Sequence, residues 1–360
     1  MPSLLEAQDR VGELQRQIVR APRLAGPVVF VGGLPGCGKT MLTPIIGSFS
    51  RVELQKFNES LEHVCGLRLL GAIHDDVATM MIRMMTDLDL YRMMMSREVN
   101  MRAADLTSIF RNPGTLRYLR RIVQPGDAAV IERIRGERPI LHLTMHNALA
   151  ISAPLFTALD DGVRIVEVMR HPLYMIKQWR AYVERYGTDV RDFTLWFDYQ
   201  GQAVPFFTHG WEARFVGSNP MDRAIFAIEH LLAMGRQVLE ERSPRQRLQV
   251  LLLPFEPFVL DPWPWLRQLE TLLETQVTAA TRRELKRQRV PRTRIAQGVA
   301  RAIYKQYGWE PAKRAASERE ELESRRGFAA AEASQEGMAV LDRLSAQYEA
   351  TYLHDVAGFS

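Results

Sequence analysis

Four residues near the start of the chain have the types and spacing to hold a phosphate. Gly33, Gly38, Lys39 and Thr40 satisfy the pattern G-x-x-x-x-G-K-[ST], with Pro35, Gly36 and Cys37 completing the loop. Glycines at 32, 33, 36 and 38 let the backbone curl with positive φ and aim successive N–H groups into one hollow. The apolar run Val28 to Val31 before the loop reads as a buried strand, and Met41 to Phe49 after it can open a helix. The hollow then lies at a helix N-terminus, whose partial positive charge favours an anion. Cys37 is read as a small passive residue of this loop, although the nearby N–H groups could lower a thiol pKa.

Two further residues stand where strands are expected to end. His146 closes Leu143-Thr-Met-His146, and Arg170 follows Val163–Met169. A histidine there can take a proton near neutral pH, and an arginine offers a charged fork to a second phosphate. The plainer readings are a hydrogen-bonded strand-end histidine and an ion-paired arginine. His142, four residues earlier, competes with His146, and His171 is expected to cap the following helix. A kinase would need a carboxylate for Mg²⁺, commonly an aspartate ending an apolar strand. The strands end instead in Met169-Arg170 and Pro254-Phe-Glu256; Glu256, Asp75 and Asp76 are unmarked substitutes.

The elements that must position these groups alternate. Strands are expected at 27–31, 139–144, 163–169 and 248–253, with a weaker one at Ala128–Ile131, and helices at 147–158, 172–186 and 221–241. This alternation predicts an α/β fold, a three-layer α/β/α arrangement around a mostly parallel sheet with right-handed crossovers. A helical insertion is expected at about 52–125, rich in methionine from Met80 to Met95, and turns at Asn112-Pro-Gly and Gln124-Pro-Gly bracket one of its helices. The methionines suit a flexible core stripe, or an adaptable apolar surface for an acceptor. The aromatic insert at about 190–216 is expected to be a loop or hairpin over the site, or a packing insert. Residues 3–20 suggest a lead-in helix, Lys313–Arg326 a solvated one, and Leu341, Leu344, Tyr348 and Tyr352 one apolar face of the last helix. The expected division is an α/β domain over 1–275 and a C-terminal helical extension over 276–360 packed on it.

Composition narrows the class. With 360 residues, 46% hydrophobic and 25% charged, the chain can bury one large core, or one core with an appended subdomain. The net charge of +5 fits an anionic ligand, but the scattered basic residues argue against nucleic acid. Two cysteines, Cys37 and Cys65, cannot make a disulfide framework. No apolar stretch has the length of a signal peptide core or a membrane span, so a cytoplasmic protein is expected.

On these motifs the chain resembles the P-loop sulfotransferases that use 3′-phosphoadenosine 5′-phosphosulfate. In that family a strand and phosphate loop hold the 5′-phosphosulfate, a later strand ends in a catalytic histidine, and about two dozen residues on an arginine grips the 3′-phosphate. Here Leu143-Thr-Met-His146 is followed 24 positions later by Arg170 in Val168-Met-Arg-His-Pro172, and Leu253-Pro-Phe-Glu-Pro-Phe resembles the family's Tyr-Glu-Asp-Leu segment. The likeness spans about 27–275. It implies that Lys39 and the loop from Gly33 to Thr40 bind the 5′-phosphate and aid catalysis, that His146 is the general base, and that Arg170 binds the 3′-phosphate. The acceptor would be a hydroxyl or amine of a carbohydrate, lipid or small molecule; a metal is not required, and a homodimer is open. Two places depart from the family. The loop ends Gly36-Cys-Gly-Lys-Thr40, of the Walker A type found in ATP-binding loops, where the family has Arg or Lys, Ser, Gly, Thr, Thr. The family's 3′-phosphate serine is replaced by Gln178, with Lys177 and Arg180 beside it as substitutes. The late basic, glycine-containing segment has a loose counterpart in Lys286–Arg292. These departures keep open a Mg²⁺-dependent kinase using ATP on a small metabolite, sugar or lipid, with Lys39 at the β- and γ-phosphates and Thr40 on the metal. A non-catalytic nucleotide-dependent regulator is a third class.

Overall fold

The structure, a computed structural model, describes residues 18–20, 23–188, 190, 192–299, 317–354 and 356. The lead-in helix expected over 3–20 falls almost wholly outside the described residues, as does the beginning of the polar run at 313–316.

Strand β1 (Val28–Gly32) is buried at every position. A run apolar on both faces suits a central parallel strand covered by helices on each side. Helix α1 (Lys39–Ile46) follows, then β2 (Lys56–Phe57), α2 (Glu59–Leu69), α3 (Asp75–Met93), α4 (Thr115–Ile122) and α5 (Ala128–Glu137). The sheet resumes with β3 (Leu141–Thr144), helix α6 (Ala153–Leu159), β4 (Val163–Met169) and α7 (Pro172–Arg185). A hairpin of β5 (Trp196–Tyr199) and β6 (Gln202–Pro205) precedes α8 (Pro220–Glu240), β7 (Val250–Pro254), α9 (Phe255–Leu260), α10 (Trp263–Leu273) and α11 (Ala279–Arg287). The chain ends with α12 (Glu318–Ala330) and α13 (Gln335–Tyr352). The five main strands run in the order β2-β3-β1-β4-β7, all parallel, with Phe30 opposite Leu143 on one side and Ile165 on the other. This is the expected three-layer α/β/α architecture with its helical insertion between α1 and β3.

Three local expectations change. Ala128–Ile131 opens helix α5 rather than a strand, because the apolar residues that follow recur at helical spacing and bury Val130 and Ile134 on one face. The edge position is filled by β2, supported by a bridge from Val52 to Ile140; two residues are too few to show a period of two. Residues 147–152 are a turn and not helix, with Asn147 in the left-handed region at φ 51°. Most of the methionines from Met80 to Met95 join the core: Met81, Met85, Met94 and Met95 pack on the main core and Met93 on a smaller cluster around Leu54, Ile109 and Tyr118, whereas Met84 is exposed. The aromatic insert is the β5–β6 hairpin with its flanking turns. Helix α13 buries Leu341, Leu344 and Tyr348, the face expected from their spacing. Among the described residues no helix is long and apolar enough to cross a membrane.

Candidate functional site

The loop between β1 and α1 is built from its glycines. Gly33, Gly36 and Gly38 have φ of +131°, +87° and +100°, a region costly for residues with a Cβ. The loop is closed by Cys37 N–H donating to Leu34 O at 3.0 Å and by the Lys39 ammonium donating to Gly33 O at 3.0 Å. Gly38 is the N-cap of α1 with no side-chain cap, so the first N–H groups of the helix are left for a ligand. Cys37 turns inward; burial raises its thiol, which agrees with a passive role. Gly33 and Cys37 shape the loop from below, while Pro35, Gly36, Gly38, Lys39 and Thr40 face a cavity of about 400 Å³.

Arg170 reaches this cavity from the end of β4. Its Nη1 donates to Gly36 O at 2.6 Å, and its guanidinium lies 4.4 Å from the Phe255 ring centroid. Nε is buried without a hydrogen-bond partner, 3.7 Å from Glu256. Burial pulls its pKa below the usual guanidinium range, against the opposing charge of Glu256. Gln178, in the second turn of α7, also lines the cavity beside Gly36, as does Lys177. Arg180 does not: it pairs with Glu332 at 2.8 Å and with Glu184 at 3.3 Å. Of the late basic segment, Arg292 lines the cavity, with its guanidinium 5.4 Å from Phe255.

His146 sits just past β3, half-exposed, between this cavity and a second one of about 250 Å³. Its backbone N–H donates to Glu62 Oε2 at 3.0 Å, and its Nδ1 lies 3.4 Å from the same oxygen. Burial raises the Glu62 carboxyl, but the imidazole and backbone N–H of His146 outweigh it and hold Glu62 below the usual glutamate range. Trp179, Tyr182, Tyr186, Phe193, Phe206 and Phe207 wall the second cavity, so the aromatic insert contributes to the site, whereas none of Met80–Met95 lines either cavity. His142 is sealed in the core, where burial brings its pKa to about 4, and it cannot compete with His146. His171 caps α7 through Nδ1, which accepts from Leu173 N–H at 3.2 Å. Glu256 is fully buried behind Arg170, and Asp75 and Asp76 lie at the start of α3, with Asp75 paired to Arg68; none of the three lines the cavity. A broader groove of about 860 Å³ between Arg164, Arg245 and Arg267 lies at the opposite end of β4 and β7 and shares no lining residue with either cavity.

Residues missed from sequence are Glu62, Tyr182, Arg292 as an individual contact, and Arg325. Glu62 carried a weak signal, as the second acid in the first turn of a helix capped by Asn58. Glu167, also missed, lies beneath the loop, paired in register with Gly32 and accepting from Leu149 N–H at 3.2 Å. Burial pushes its carboxyl from 4.5 up to about 7. Between those values the folded chain holds a proton that the unfolded chain has released, so stability falls as pH rises across that window. Glu167→Gln removes the effect. Urea unfolding should show the variant gaining up to about 3 kcal/mol on the parent chain between pH 4.5 and 8, and a constant difference would refute the assignment.

No family model matches the chain, and no curated protein does. Among solved structures it is similar to the sulfotransferase domain of the Synechococcus PCC 7002 olefin synthase, with 13% identity and a TM-score of 0.37 over 87% of this chain and 98% of that one. It is also similar to sulfotransferase STF9 from Mycobacterium avium (13% identity, TM-score 0.40, 97% of this chain, 81% of that one) and sulfotransferase STF1 from Mycobacterium tuberculosis H37Rv (13%, 0.34, 84% and 76%). The likeness is faint in sequence and in superposition, and the functional reading rests on the site itself.

Proposed function

We propose that this chain transfers a sulfuryl group from 3′-phosphoadenosine 5′-phosphosulfate to a hydroxyl or amine of a carbohydrate, lipid or small-molecule acceptor. The observation that carries the reading is the position of His146, between a cation-lined cavity floored by the phosphate loop and an aromatic-walled one. Among the described residues the first cavity is lined by Lys39, Arg170, Lys177, Arg292 and Arg325 against one carboxylate, Glu59. That balance suits a ligand with two separated anionic groups, and a volume of about 400 Å³ lies in the range of small-ligand sites.

The loop N–H groups, Lys39 and Thr40 hold the 5′-phosphate and stabilise the charge that grows on it as the sulfur–oxygen bond breaks. Arg170, with Gln178 beside it, fixes the 3′-phosphate. Glu62 keeps the Nδ1 edge of His146 occupied, leaving Nε2 to accept the proton of the attacking hydroxyl as its oxygen bonds to sulfur. The leaving group departs as adenosine 3′,5′-bisphosphate, its negative charge held by the loop.

The Gly-Lys-Thr ending of the loop favours a second reading, a Mg²⁺-dependent kinase using ATP. Titration calorimetry separates them. The sulfotransferase reading expects adenosine 3′,5′-bisphosphate to bind with an affinity unchanged by a chelator. ATP affinity that rises with Mg²⁺, with no bisphosphate binding, overturns it in favour of the kinase.

A further inference from the structure

Resting on the donor reading above, we infer that Arg325 is a donor-binding residue: α12 brings it from the C-terminal part of the chain to grip the second phosphate of the adenosine ligand together with Arg170. Tyr174, in the first turn of α7, carries the geometry. The Arg170 guanidinium lies 5.2 Å from its ring centroid and that of Arg325 lies 4.6 Å from it. The two cations therefore share one aromatic plate on the wall of the cavity that Lys39 and Thr40 floor. Both are largely closed off from solvent, and Arg325 disfavours the charged form of Arg170 as a like charge would. An anion between them converts that repulsion into two charge-assisted contacts.

The second guanidinium is held firmly. Glu318 on α12 accepts from the Tyr174 hydroxyl at 2.9 Å and from Ile295 N–H at 2.8 Å, tying the helix both to α7 and to the loop that carries Arg292. Along α7 the partners advance in step: Tyr174 meets Arg325, Lys177 meets Phe328, and Arg180 meets Glu332. These rungs fix the register of α12, and Arg325 falls on the rung that faces the cavity. Glu321, one turn earlier, takes Nε at 2.9 Å and Nη2 at 2.7 Å. That contact occupies one edge of the guanidinium and leaves Nη1 without a protein partner among the described residues.

The test is calorimetry with two nucleotides that differ by the 3′-phosphate. Arg325→Gln should weaken adenosine 3′,5′-bisphosphate by about 10–100-fold while changing adenosine 5′-monophosphate less than about twofold, the scale of one charge-assisted contact. Glu321→Gln keeps the guanidinium and should bind the bisphosphate at least as well as the parent chain. If Arg325→Gln does not fold, Arg325→Lys makes the same comparison, with a smaller loss for the bisphosphate alone. Three outcomes overturn the assignment: unchanged bisphosphate affinity in the Arg325 variant, equal loss for both nucleotides, or a Glu321→Gln loss as large as that of Arg325→Gln. A parent chain that binds neither nucleotide overturns the donor reading itself, and the role of Arg325 falls with it.

Discussion

Replacing His146 by alanine is expected to lower sulfuryl-transfer turnover by roughly 10²–10⁴-fold, the usual contribution of a positioned general base. The residue lies where the two cavities meet, and its ring is held by Glu62 on one edge and by Phe57, 6.3 Å away and nearly parallel, on a face. Among the described residues that line both cavities, Pro35 has no titratable group and Tyr182 is a phenol, which leaves the Glu59 carboxylate as the one other group able to accept a proton. The groups proposed to hold the phosphates are untouched by the change, so the affinity for adenosine 3′,5′-bisphosphate should stay within about twofold of the parent chain while turnover collapses. The measurement is steady-state transfer from the sulfate donor to a panel of alcohols, phenols and glycans, alongside calorimetry. Turnover that survives the substitution removes His146 from the mechanism.

The second large effect is expected from Gly38→Ala. A Cβ at this position would overlap the Phe255 ring, and the backbone there has φ of +100°. Left-handed strain and a forced shift of a packed ring together cost about 2–5 kcal/mol. The functional loss should exceed the loss of stability, because Phe255 is the plate on which both Arg170 and Arg292 rest, at 4.4 and 5.4 Å. Moving the ring moves two of the cations that line the proposed donor cavity, and bisphosphate binding should disappear. Gly26→Ala, with nothing within 4 Å of its Cβ, is the control and should leave stability and binding unchanged. Urea unfolding and calorimetry on the two variants decide it: a Gly38→Ala chain that matches Gly26→Ala in both refutes the tight fit of the loop against Phe255.

Much of the site was legible before the fold was known, wherever the chemistry is carried by neighbours in the chain. The loop from Gly33 to Thr40 needs only its own glycines and the helix that follows, and the places of His146 and Arg170 just beyond β3 and β4 follow from where two apolar runs stop. His171 as a cap is equally local, since its Nδ1 bonds an N–H two residues on. The misreading of Ala128–Ile131 has a local cause too: four apolar residues fit either period, and what decides is the burial of Val130 and Ile134 in the main core.

What sequence alone determined, then, is a glycine-built loop over Gly33–Thr40 with the pattern of a phosphate loop, and which residue types stand near the ends of the strands. The tertiary structure decided which distant groups join them. Glu62 reaches His146 across 84 residues because α2 packs beside the end of β3, and Arg325 reaches Tyr174 because α12 runs along α7. The same holds for exclusions: His142 and His146 look alike in sequence, yet one is sealed under α1 and the other opens onto two cavities. The reason is physical. Loop curvature and helix or strand period depend on contacts within a few residues, whereas the composition of a site depends on strand order and on which helix faces meet, and those are set by packing the whole core at once.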